Sequence, residues 1–416
     1  MRLLVIVFVV VLQLCFYVKG DYEEIFRKIQ GIFSTNKVKT HRDDIPNITD
    51  FLMKYNYSVE IHQVQTQDGF NLTVHRIPKS SNTSAKFPLI FAHCLACSSM
   101  DWIWQGPSNS LPLILADLDY DIWLANMRGN GFSMSHLNFT SKDPKFWDYS
   151  FHEKGHYDMA STVDYVLNVT GKNKIIYVGH SQGTTAGIVL TTTRPEYNTK
   201  IDMMVLLSPI VYLEHMNSPL VRFLADYNNI ITTVLKALNI HGIPYAPLLN
   251  QFAKSICNEN SSLQGICILL IELFAGFDVD QIDKFKLPTF LSNTPSGVSV
   301  KEVEHLIQGI NSGSFRQYDY GNALSNIARY GTSEPPQYDL NKLTVPLAIY
   351  YAKNDFLAST KDVERFISTL TQDTVDRYLI DYELFNHLDF ITAKDVKKIL
   401  YDRIVEVLKK RTSIEK

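Results

Sequence analysis

The turn around Ser181 constrains the fold more than any other stretch of the sequence. A β-branched and aromatic run at 174–178 predicts a buried strand, and an apolar run at 185–190 predicts a helix. Between them, Gly179 and Gly183 flank Ser181 in the pattern G-x-S-x-G, which is typical of a nucleophile elbow. Such a serine occupies strained backbone on a sharp turn, so the residues two before and two after it must be small. The pattern predicts that the Ser181 hydroxyl stands above a sheet edge, near the positive N-terminal end of the helix.

Short apolar strands alternate with helical segments on both sides of this turn. Strands are predicted at 59–64, 70–77, 88–92, 121–125, 174–178, 201–207, 345–351 and 378–380. Helices are predicted at 47–55, 220–227, 268–277, 396–409 and 157–168, the last with Asp158 in its first turn. The first two strands form a hairpin, and the later ones predict a mostly parallel α/β sheet covered on both faces. Catalytic groups then belong at the carboxyl ends of the strands.

The pattern divides the 416-residue chain into four parts. Residues 1–20 combine a basic start, an apolar run and a small residue at the end, which predicts a cleaved signal peptide. Residues 21–210 and 331–416 are predicted to form one α/β core, interrupted by a helical cap at 211–330. The first apolar run is shorter than the roughly 20 residues that span a bilayer, and no later stretch is longer. We therefore expect no transmembrane segment in the mature chain.

Charge and sequons indicate the compartment and the class of partner. The formal net charge of −3 gives no reason to expect a nucleic-acid partner. Sequons with the pattern N-x-S/T are candidate glycosylation sites, and they occur at Asn47, Asn56, Asn71, Asn82, Asn138, Asn168 and Asn260. Together with the signal peptide they predict the secretory pathway, with an extracellular or a lysosomal destination.

Four cysteines remain once Cys15 leaves with the signal peptide. Cys257 and Cys267 close a short loop and are the favoured disulfide pair. Cys94 and Cys97 lie beside the predicted site, where a disulfide is possible but free buried thiols are the favoured interpretation. No cluster of histidine and cysteine has the spacing of a metal site, so neither a metal nor another cofactor is expected.

A serine hydroxyl is a weak nucleophile and needs a base within hydrogen-bond reach, which a carboxylate in turn orients. In elbow folds the chain order is serine, acid, histidine. Asp355 follows the strand predicted at 345–351, and His387 follows the last strand, so both fit this order. We therefore predict Ser181, Asp355 and His387 as the catalytic residues.

Other acids and histidines compete for these roles. Asp362 and Glu364 fall in a predicted helix and are expected to be solvated, whereas Asp389 is expected to support the loop of His387. His156 and His305 are the competing bases, although a lone histidine is more often structural. Chain order and position after a predicted strand favour Asp355 as the acid and His387 as the base.

The tetrahedral intermediate of acyl transfer carries an oxyanion that needs two backbone donors. One is predicted to be the amide of Gln182, which follows the nucleophile. The other is predicted in the loop after the strand at 88–92, where Leu95 is best placed.

With these residues identified, the chain resembles the acid lipase family of α/β-hydrolases, the group of gastric lipase and lysosomal acid lipase. The resemblance runs from about residue 49 to near the C-terminus. It is carried by these motifs: Thr66-Gln67-Asp68-Gly69-Phe70, Asn126-Met127-Arg128-Gly129-Asn130, Phe146-Trp147, Gly179-His180-Ser181-Gln182-Gly183-Thr184, Gly276-Phe277-Asp278, Tyr318-Asp319-Tyr320-Gly321, Pro335-Pro336 and Asn386-His387-Leu388-Asp389-Phe390.

The resemblance implies the same roles for the catalytic residues and for Leu95 and Gln182. It implies an α/β-hydrolase fold with a cap and a mobile lid, a cap disulfide that matches Cys257 and Cys267, and no cofactor. The implied function is a serine esterase that cleaves fatty acyl esters of neutral lipids, such as triglycerides or cholesteryl esters, at a lipid–water interface. Two alternatives are a catalytically silent lipid-binding protein and an esterase for small soluble esters.

Two residues depart from the family pattern. Cys94 occupies a position where the family usually has glycine, and His152 one where it typically has aspartate. If the backbone at Cys94 had a positive φ, a side chain there would cost on the order of 1 kcal/mol and misalign the Leu95 amide.

Overall fold

The computed structural model describes residues 47–79, 86–372 and 374–413. The signal peptide predicted at 1–20, Cys15 and the sequon at Asn82 lie outside the described residues.

One large mixed β-sheet and one short two-stranded sheet are present in the described part of the chain. The strands are β1 (Glu60–Gln65), β2 (Phe70–Ile77), β3 (Leu89–Ala92), β4 (Ile122–Ala125), β5 (Ser135–His136), β6 (Ile175–His180), β7 (Ile201–Leu207), β8 (Gly242–Pro244), β9 (Gly297–Ser299), β10 (Leu347–Tyr351) and β11 (Thr374–Leu379). The order in the large sheet is β1-β2-β4-β3-β6-β7-β10-β11, and β5 pairs with β2. The six strands from β4 to β11 in this order pair in parallel, whereas β2 pairs antiparallel with each of its neighbours β1, β4 and β5. The predicted hairpin and mostly parallel sheet are confirmed.

Helices surround this sheet. The α-helices in the described residues are Ile48–Lys54, Leu111–Asp117, Phe151–Glu153, Ala160–Thr170, Gln182–Thr193, Pro219–Asp226, Asn228–Ala237, Pro247–Ile256, Gln264–Ala275, Leu287–Leu291, Val300–Ser312, Ala323–Tyr330, Thr360–Ser368, Asp389–Thr392 and Asp402–Ser413. Those from Pro219 to Tyr330 lie between β7 and β10 in the chain, together with the β8–β9 ribbon. They fall in the segment 211–330, for which the sequence predicts a helical cap.

The central strands are buried on both faces. In β6, Ile175 and Tyr177 pack into the apolar layer on one face of the sheet, while Ile176 and Val178 pack into the layer on the other. Side chains alternate across a strand, so a strand covered on both faces reads as an uninterrupted apolar run. Burying each such side chain contributes roughly 1.5–3 kcal/mol, which fixes the strands whose ends carry the site.

The helix predicted at 157–168 begins earlier than the sequence indicated. It runs from Phe151 through a π-helical turn at Lys154–Met159 into Ala160–Thr170. A Cβ atom at Gly155 would come within 2.6 Å of the Ala186 carbonyl oxygen, so the close approach to the elbow helix requires glycine. A glycine inside a helix lowers the helical propensity of the sequence, so the start of this helix was not predicted. The packing against the elbow helix explains why glycine is there.

Asp158 is consequently not in the first turn of a helix. It is fully buried and accepts hydrogen bonds from the backbone N–H of Arg128 at 2.9 Å and from its guanidinium Nε at 2.8 Å. The carboxylate balances a buried cation and anchors the loop after β4.

Candidate active site

The elbow has the geometry that its residue types predict. Ser181 adopts φ 54° and ψ −121°, a strained conformation for a residue with a side chain, directly between β6 and the helix Gln182–Thr193. A Cβ atom on Gly183 would lie 2.1 Å from the Ala92 carbonyl oxygen, and one on Gly179 would lie 2.7 Å from the Gly183 carbonyl carbon. Only glycine fits at these two positions, which explains the G-x-S-x-G spacing.

The structure brings the three predicted catalytic side chains together. His387 Nε2 lies 2.8 Å from Ser181 Oγ, and His387 Nδ1 lies 2.9 Å from Asp355 Oδ1 and 3.0 Å from Asp355 Oδ2. Ser181 keeps 7% of its surface exposed and His387 and Asp355 keep 2% each, so the relay is shielded from water. A base in contact with the hydroxyl and a carboxylate in contact with the base meet the geometric requirement for nucleophile activation.

The carboxylate of Asp355 is held by several donors. Its Oδ1 accepts hydrogen bonds from the backbone N–H groups of Leu357 at 2.9 Å and Ala358 at 2.7 Å. Its Oδ2 accepts one from the Ser208 hydroxyl at 2.5 Å, and Ser208 Oγ also lies 2.7 Å from His387 Nδ1. Ser208 was not among the residues predicted from the sequence, although its place at the end of the strand next to the elbow strand is a signal of a site residue.

The loop of His387 is fastened to the last turn of the cap helix Gln264–Ala275. The Ala275 carbonyl accepts a hydrogen bond from the backbone N–H of His387 at 3.2 Å, and the Gly276 carbonyl accepts one from Asn386 Nδ2 at 3.1 Å. Within the loop, Asp389 Oδ2 accepts the Asn386 N–H at 2.7 Å. The expected supporting role of Asp389 is confirmed.

Asp389 also lies against Asp278, which follows that cap helix. Burial raises the pKa of Asp389 well above its usual range, and the neighbouring Asp278 carboxyl adds to the rise. Burial likewise raises the pKa of Asp278, whose Oδ1 accepts a hydrogen bond from the Tyr382 hydroxyl at 3.1 Å. Two carboxyl groups in contact are stable when a proton is shared between them.

The two predicted oxyanion donors flank the nucleophile in the chain topology. Gln182 is the first residue of the elbow helix, and Leu95 lies in the turn directly after β3, the neighbour of β6 in the sheet. Among the described residues, neither backbone N–H donates to a protein acceptor within hydrogen-bond distance. Both amides therefore lack a protein acceptor in this part of the chain, which is a requirement for donors of an oxyanion hole.

Cys94 and Cys97 form a disulfide, so the favoured interpretation of free thiols is wrong. Their Cα atoms lie 5.2 Å apart, because the chain turns tightly between them and returns the two side chains to one side. Cys94 does not have a positive φ, whereas Ala96 has φ 55°, so the strain expected at Cys94 falls two residues later. Cys257 and Cys267 form the second disulfide, as predicted.

The competing acids have structural partners. Asp362 was expected to be solvated, but it is 1% exposed and accepts hydrogen bonds from His215 through its backbone N–H at 2.8 Å and its Nδ1 at 2.9 Å. Glu364 forms an ion pair with Arg377. Neither acid is part of the relay.

The competing histidines are also engaged elsewhere. His156 Nδ1 lies 3.0 Å from the Thr193 hydroxyl, and His305 Nε2 lies 2.9 Å from the Arg316 carbonyl oxygen. Burial lowers the pKa of His305 to about 3, so it is neutral in the folded protein. His152, where the family resemblance led us to expect aspartate, lies 2.9 Å through Nδ1 from the Tyr338 hydroxyl.

A buried ion pair lies behind Gln182, and the sequence did not predict it. Lys154 Nζ lies 2.5 Å from Glu302 Oε1 and donates a hydrogen bond to Gln182 Oε1 at 3.1 Å. The side chains of the two ions are 2% and 0% exposed. Lys154 comes from the core and Glu302 from the cap helix Val300–Ser312, so the pair joins the cap to the start of the elbow helix.

Several predicted glycosylation sites are at the surface. Asn47, Asn56, Asn138, Asn168 and Asn260 are exposed, and Asn71 in β2 is half-buried. In the described ranges, no helix is both long and apolar enough to cross a membrane. In the same ranges, no group of three or more histidine, cysteine or acidic side chains could hold a metal ion.

Comparison with known proteins places this site in a family. The family described as "alpha/beta hydrolase fold" matches residues 88–393, and the "partial alpha/beta-hydrolase lipase region" matches residues 48–106. Lipase 1 of Drosophila melanogaster is 37% identical over 370 residues, which cover 89% of this chain and 81% of that protein. Gastric triacylglycerol lipase of Bos taurus is 33% identical over 376 residues (89% and 93%), and human lipase member K is 32% identical over 367 residues (86% and 90%). The chain belongs to the acid lipase family of α/β-hydrolases. In this acid lipase family member, the family match over residues 88–393 includes Ser181, Asp355 and His387. Leu95 lies within both this match and the one over residues 48–106.

Proposed function

We propose that the protein hydrolyses fatty acyl esters of neutral lipids, such as triglycerides or cholesteryl esters, through an acyl-enzyme on Ser181. The contact of 2.8 Å between Ser181 Oγ and His387 Nε2 supports this proposal most directly. His387 takes the hydroxyl proton while Ser181 attacks the ester carbonyl. It then protonates the departing alcohol, and Asp355 stabilises the imidazolium that forms in between.

The second half of the reaction uses the same groups. His387 takes a proton from a water molecule, which attacks the acyl carbonyl and releases the fatty acid. In both tetrahedral intermediates the negative oxygen accepts hydrogen bonds from the amides of Leu95 and Gln182. Such donors are each worth about 10²–10³-fold in rate.

An exposed apolar stripe on the cap supports a substrate at a lipid–water interface. Along the helix Asn228–Ala237 and its ends, Tyr227, Ile230, Val234 and Leu238 follow helical spacing and are 40–64% exposed. Apolar side chains in a row on one helix face are the features with which a helix lies on a lipid surface. The stripe favours a lipase over an esterase for small soluble esters.

The catalytically silent alternative rested on Cys94, which was expected to misalign the Leu95 amide. Cys94 lacks the positive φ that this alternative required. Small soluble esters remain the alternative substrates to be tested.

We further propose that the protein acts in the secretory pathway, either outside the cell or in the lysosome. Two disulfides and five exposed sequons support this compartment, because disulfides persist and glycans are added along that route.

The test is hydrolysis of short-chain and long-chain acyl esters, dissolved and emulsified, by the purified chain from residue 21. The rates are measured between about pH 4 and pH 8, beside Ser181→Ala. We expect turnover of long-chain emulsified esters that the substitution abolishes. Equal turnover by Ser181→Ala would falsify the serine mechanism.

Two substitutions test the interface separately. Ile230→Asp with Val234→Asp places charges on the exposed stripe without touching the triad. We expect slower hydrolysis of emulsions and an unchanged rate on dissolved short-chain esters. If the variant and the unaltered protein hydrolysed emulsions at equal rates, the stripe would have no part in binding lipid.

A further inference from the structure

We propose that the Cys94–Cys97 disulfide and His93 are positioning residues of the oxyanion hole. Together they fix the peptide group between Cys94 and Leu95, whose N–H is the second oxyanion donor. This inference rests on the proposed function and goes beyond it, because it assigns to three residues the task of orienting the Leu95 peptide.

The planar peptide group between Cys94 and Leu95 links the position of its oxygen to the direction of its N–H. The carbonyl oxygen of Cys94 and the amide hydrogen of Leu95 belong to one trans peptide and point in opposite directions. The Cys94 oxygen is held twice, by His93 Nδ1 at 2.7 Å and by the backbone N–H of Cys97 at 3.3 Å. Fixing this oxygen fixes the direction of the Leu95 N–H, which donates to no acceptor in the described part of the chain.

The surroundings of His93 determine which ring nitrogen carries its proton. Its Nε2 lies 3.1 Å from the backbone N–H of Met127 and 3.1 Å from the Asn130 side-chain amide, both of which are donors. Nε2 must therefore accept, and the proton sits on Nδ1, where it is donated to the Cys94 oxygen. Burial, together with the positive charge of Lys154, lowers the pKa of His93 to about 3, so this neutral tautomer persists at acid pH.

The disulfide restrains the turn that the oxygen belongs to. Cys94 and Cys97 are 5% and 3% exposed and anchor the turn in the core, whereas Leu95 and Ala96 between them are half-buried. Ala96 adopts φ 55°, a conformation that alanine seldom populates without restraint. Closing the turn covalently removes alternative conformations in which the Leu95 peptide rotates and directs its carbonyl towards the oxyanion.

The experiment compares two disulfide deletions. Cys94→Ala with Cys97→Ala removes the restraint beside Leu95, and Cys257→Ala with Cys267→Ala removes the cap disulfide as the matched control. For the first pair we expect kcat to fall at least about tenfold with KM unchanged, since losing a whole oxyanion donor costs about 10²–10³-fold. Inhibition by a long-chain trifluoromethyl ketone, which forms a tetrahedral adduct on serine, weakens in parallel. The control pair leaves this inhibition unchanged.

His93 provides a second pair of variants, which does not depend on the disulfide variants folding. His93→Asn keeps an N–H donor near the position of Nδ1, whereas His93→Gln places its amide near Nε2. We expect His93→Asn to retain more kcat and tighter ketone inhibition than His93→Gln. Thermal unfolding of each variant separates this effect from a loss of folded protein.

Two results would overturn the inference. One is that kcat and ketone inhibition are unchanged without the Cys94–Cys97 bond. The other is that the control pair loses as much kcat and inhibition as the Cys94 and Cys97 pair. Failure of the proposed function is a different result, namely no Ser181-dependent ester hydrolysis by the unaltered protein. The rate at which a fluorophosphonate labels Ser181 needs no ester turnover, and a slower rate without the Cys94–Cys97 bond supports the positioning role even then.

Discussion

Ser208 donates a 2.5 Å hydrogen bond to Asp355 from the end of the strand that neighbours the elbow. Its backbone has φ 52°, so the residue is held in a sparsely populated conformation that aims the hydroxyl at the carboxylate. The acid of the relay is therefore oriented by a fourth side chain.

Removing this hydroxyl should slow the reaction. A hydrogen bond to a charged group is worth about 1.5–3 kcal/mol, so we expect Ser208→Ala to lower kcat about tenfold with a smaller change in KM. Steady-state kinetics on a soluble ester measures the effect. Ser359→Ala, at the N-cap of the helix Thr360–Ser368, is the control and should leave kcat unchanged.

The strain at Ser181 predicts a difference between two inactive variants. Glycine populates the observed φ of 54° freely, whereas alanine does not. We expect Ser181→Gly to have a free energy of unfolding about 1 kcal/mol higher than Ser181→Ala, after the entropy that glycine adds to the unfolded chain. Urea unfolding measures it, and a less stable glycine variant would contradict the strain.

The carboxyl pair beneath the His387 loop predicts higher stability in acid. Because the pKa of Asp389 is raised, the folded protein holds a proton that the unfolded chain releases above about pH 4. Its contribution to stability is complete below that pH and is lost as the pH rises through the folded pKa. Asp389→Asn keeps a neutral oxygen for the Asn386 N–H, so we expect its stability to decline less between about pH 4 and pH 7.

Urea unfolding across this range measures the slope for both proteins. Asp280→Asn, a change at an exposed carboxylate two residues from Asp278, is the matched control. Parallel slopes for the unaltered protein and Asp389→Asn would count against a shared proton.

The pKa shift of His152 has the opposite effect on how stability depends on pH. Burial lowers its pKa to about 4, while the unfolded chain binds the proton near pH 6.5. The stability that the neutral ring contributes is complete above about pH 6.5 and is lost as the pH falls through the folded pKa of about 4. We expect His152→Gln to lose less stability than the unaltered protein on acidification, as measured by thermal unfolding, with His241→Gln as the control.

Substitutions of the buried pair Lys154 and Glu302 are predicted to have strongly non-additive effects on the free energy of unfolding. Lys154→Met leaves a buried carboxylate without its cation, which lowers the free energy of unfolding by about 3–5 kcal/mol. Lys154→Met combined with Glu302→Leu removes both charges, so most of that loss is recovered. A double-mutant cycle by urea unfolding measures the coupling, and simple additivity would show that the ions do not interact.

Much of the site could be predicted because its determinants are local. Ser181 is identified by glycines two residues away, and strand ends in an α/β sheet limit the positions of Asp355 and His387. Chain order then leaves few candidates for the acid and the base.

The errors concern partners that are distant in the chain or depend on turn geometry. Asp362 looks solvated until His215 packs on it, and nothing near Lys154 in the sequence points to Glu302. A spacing of three residues allows either a disulfide or free thiols at Cys94, and the conformation of the turn decides between them.

The end of the cap helix Gln264–Ala275 acts as a fixed point for any motion that admits substrate. The Ala275 carbonyl receives the N–H of His387 and that of Phe356, next to the acid. Lifting the whole cap as one piece would pull the base and acid loops out of register. We therefore expect a motion that spares the proton relay to leave this end of the helix in place and to involve helices that precede it, such as Pro219–Asp226.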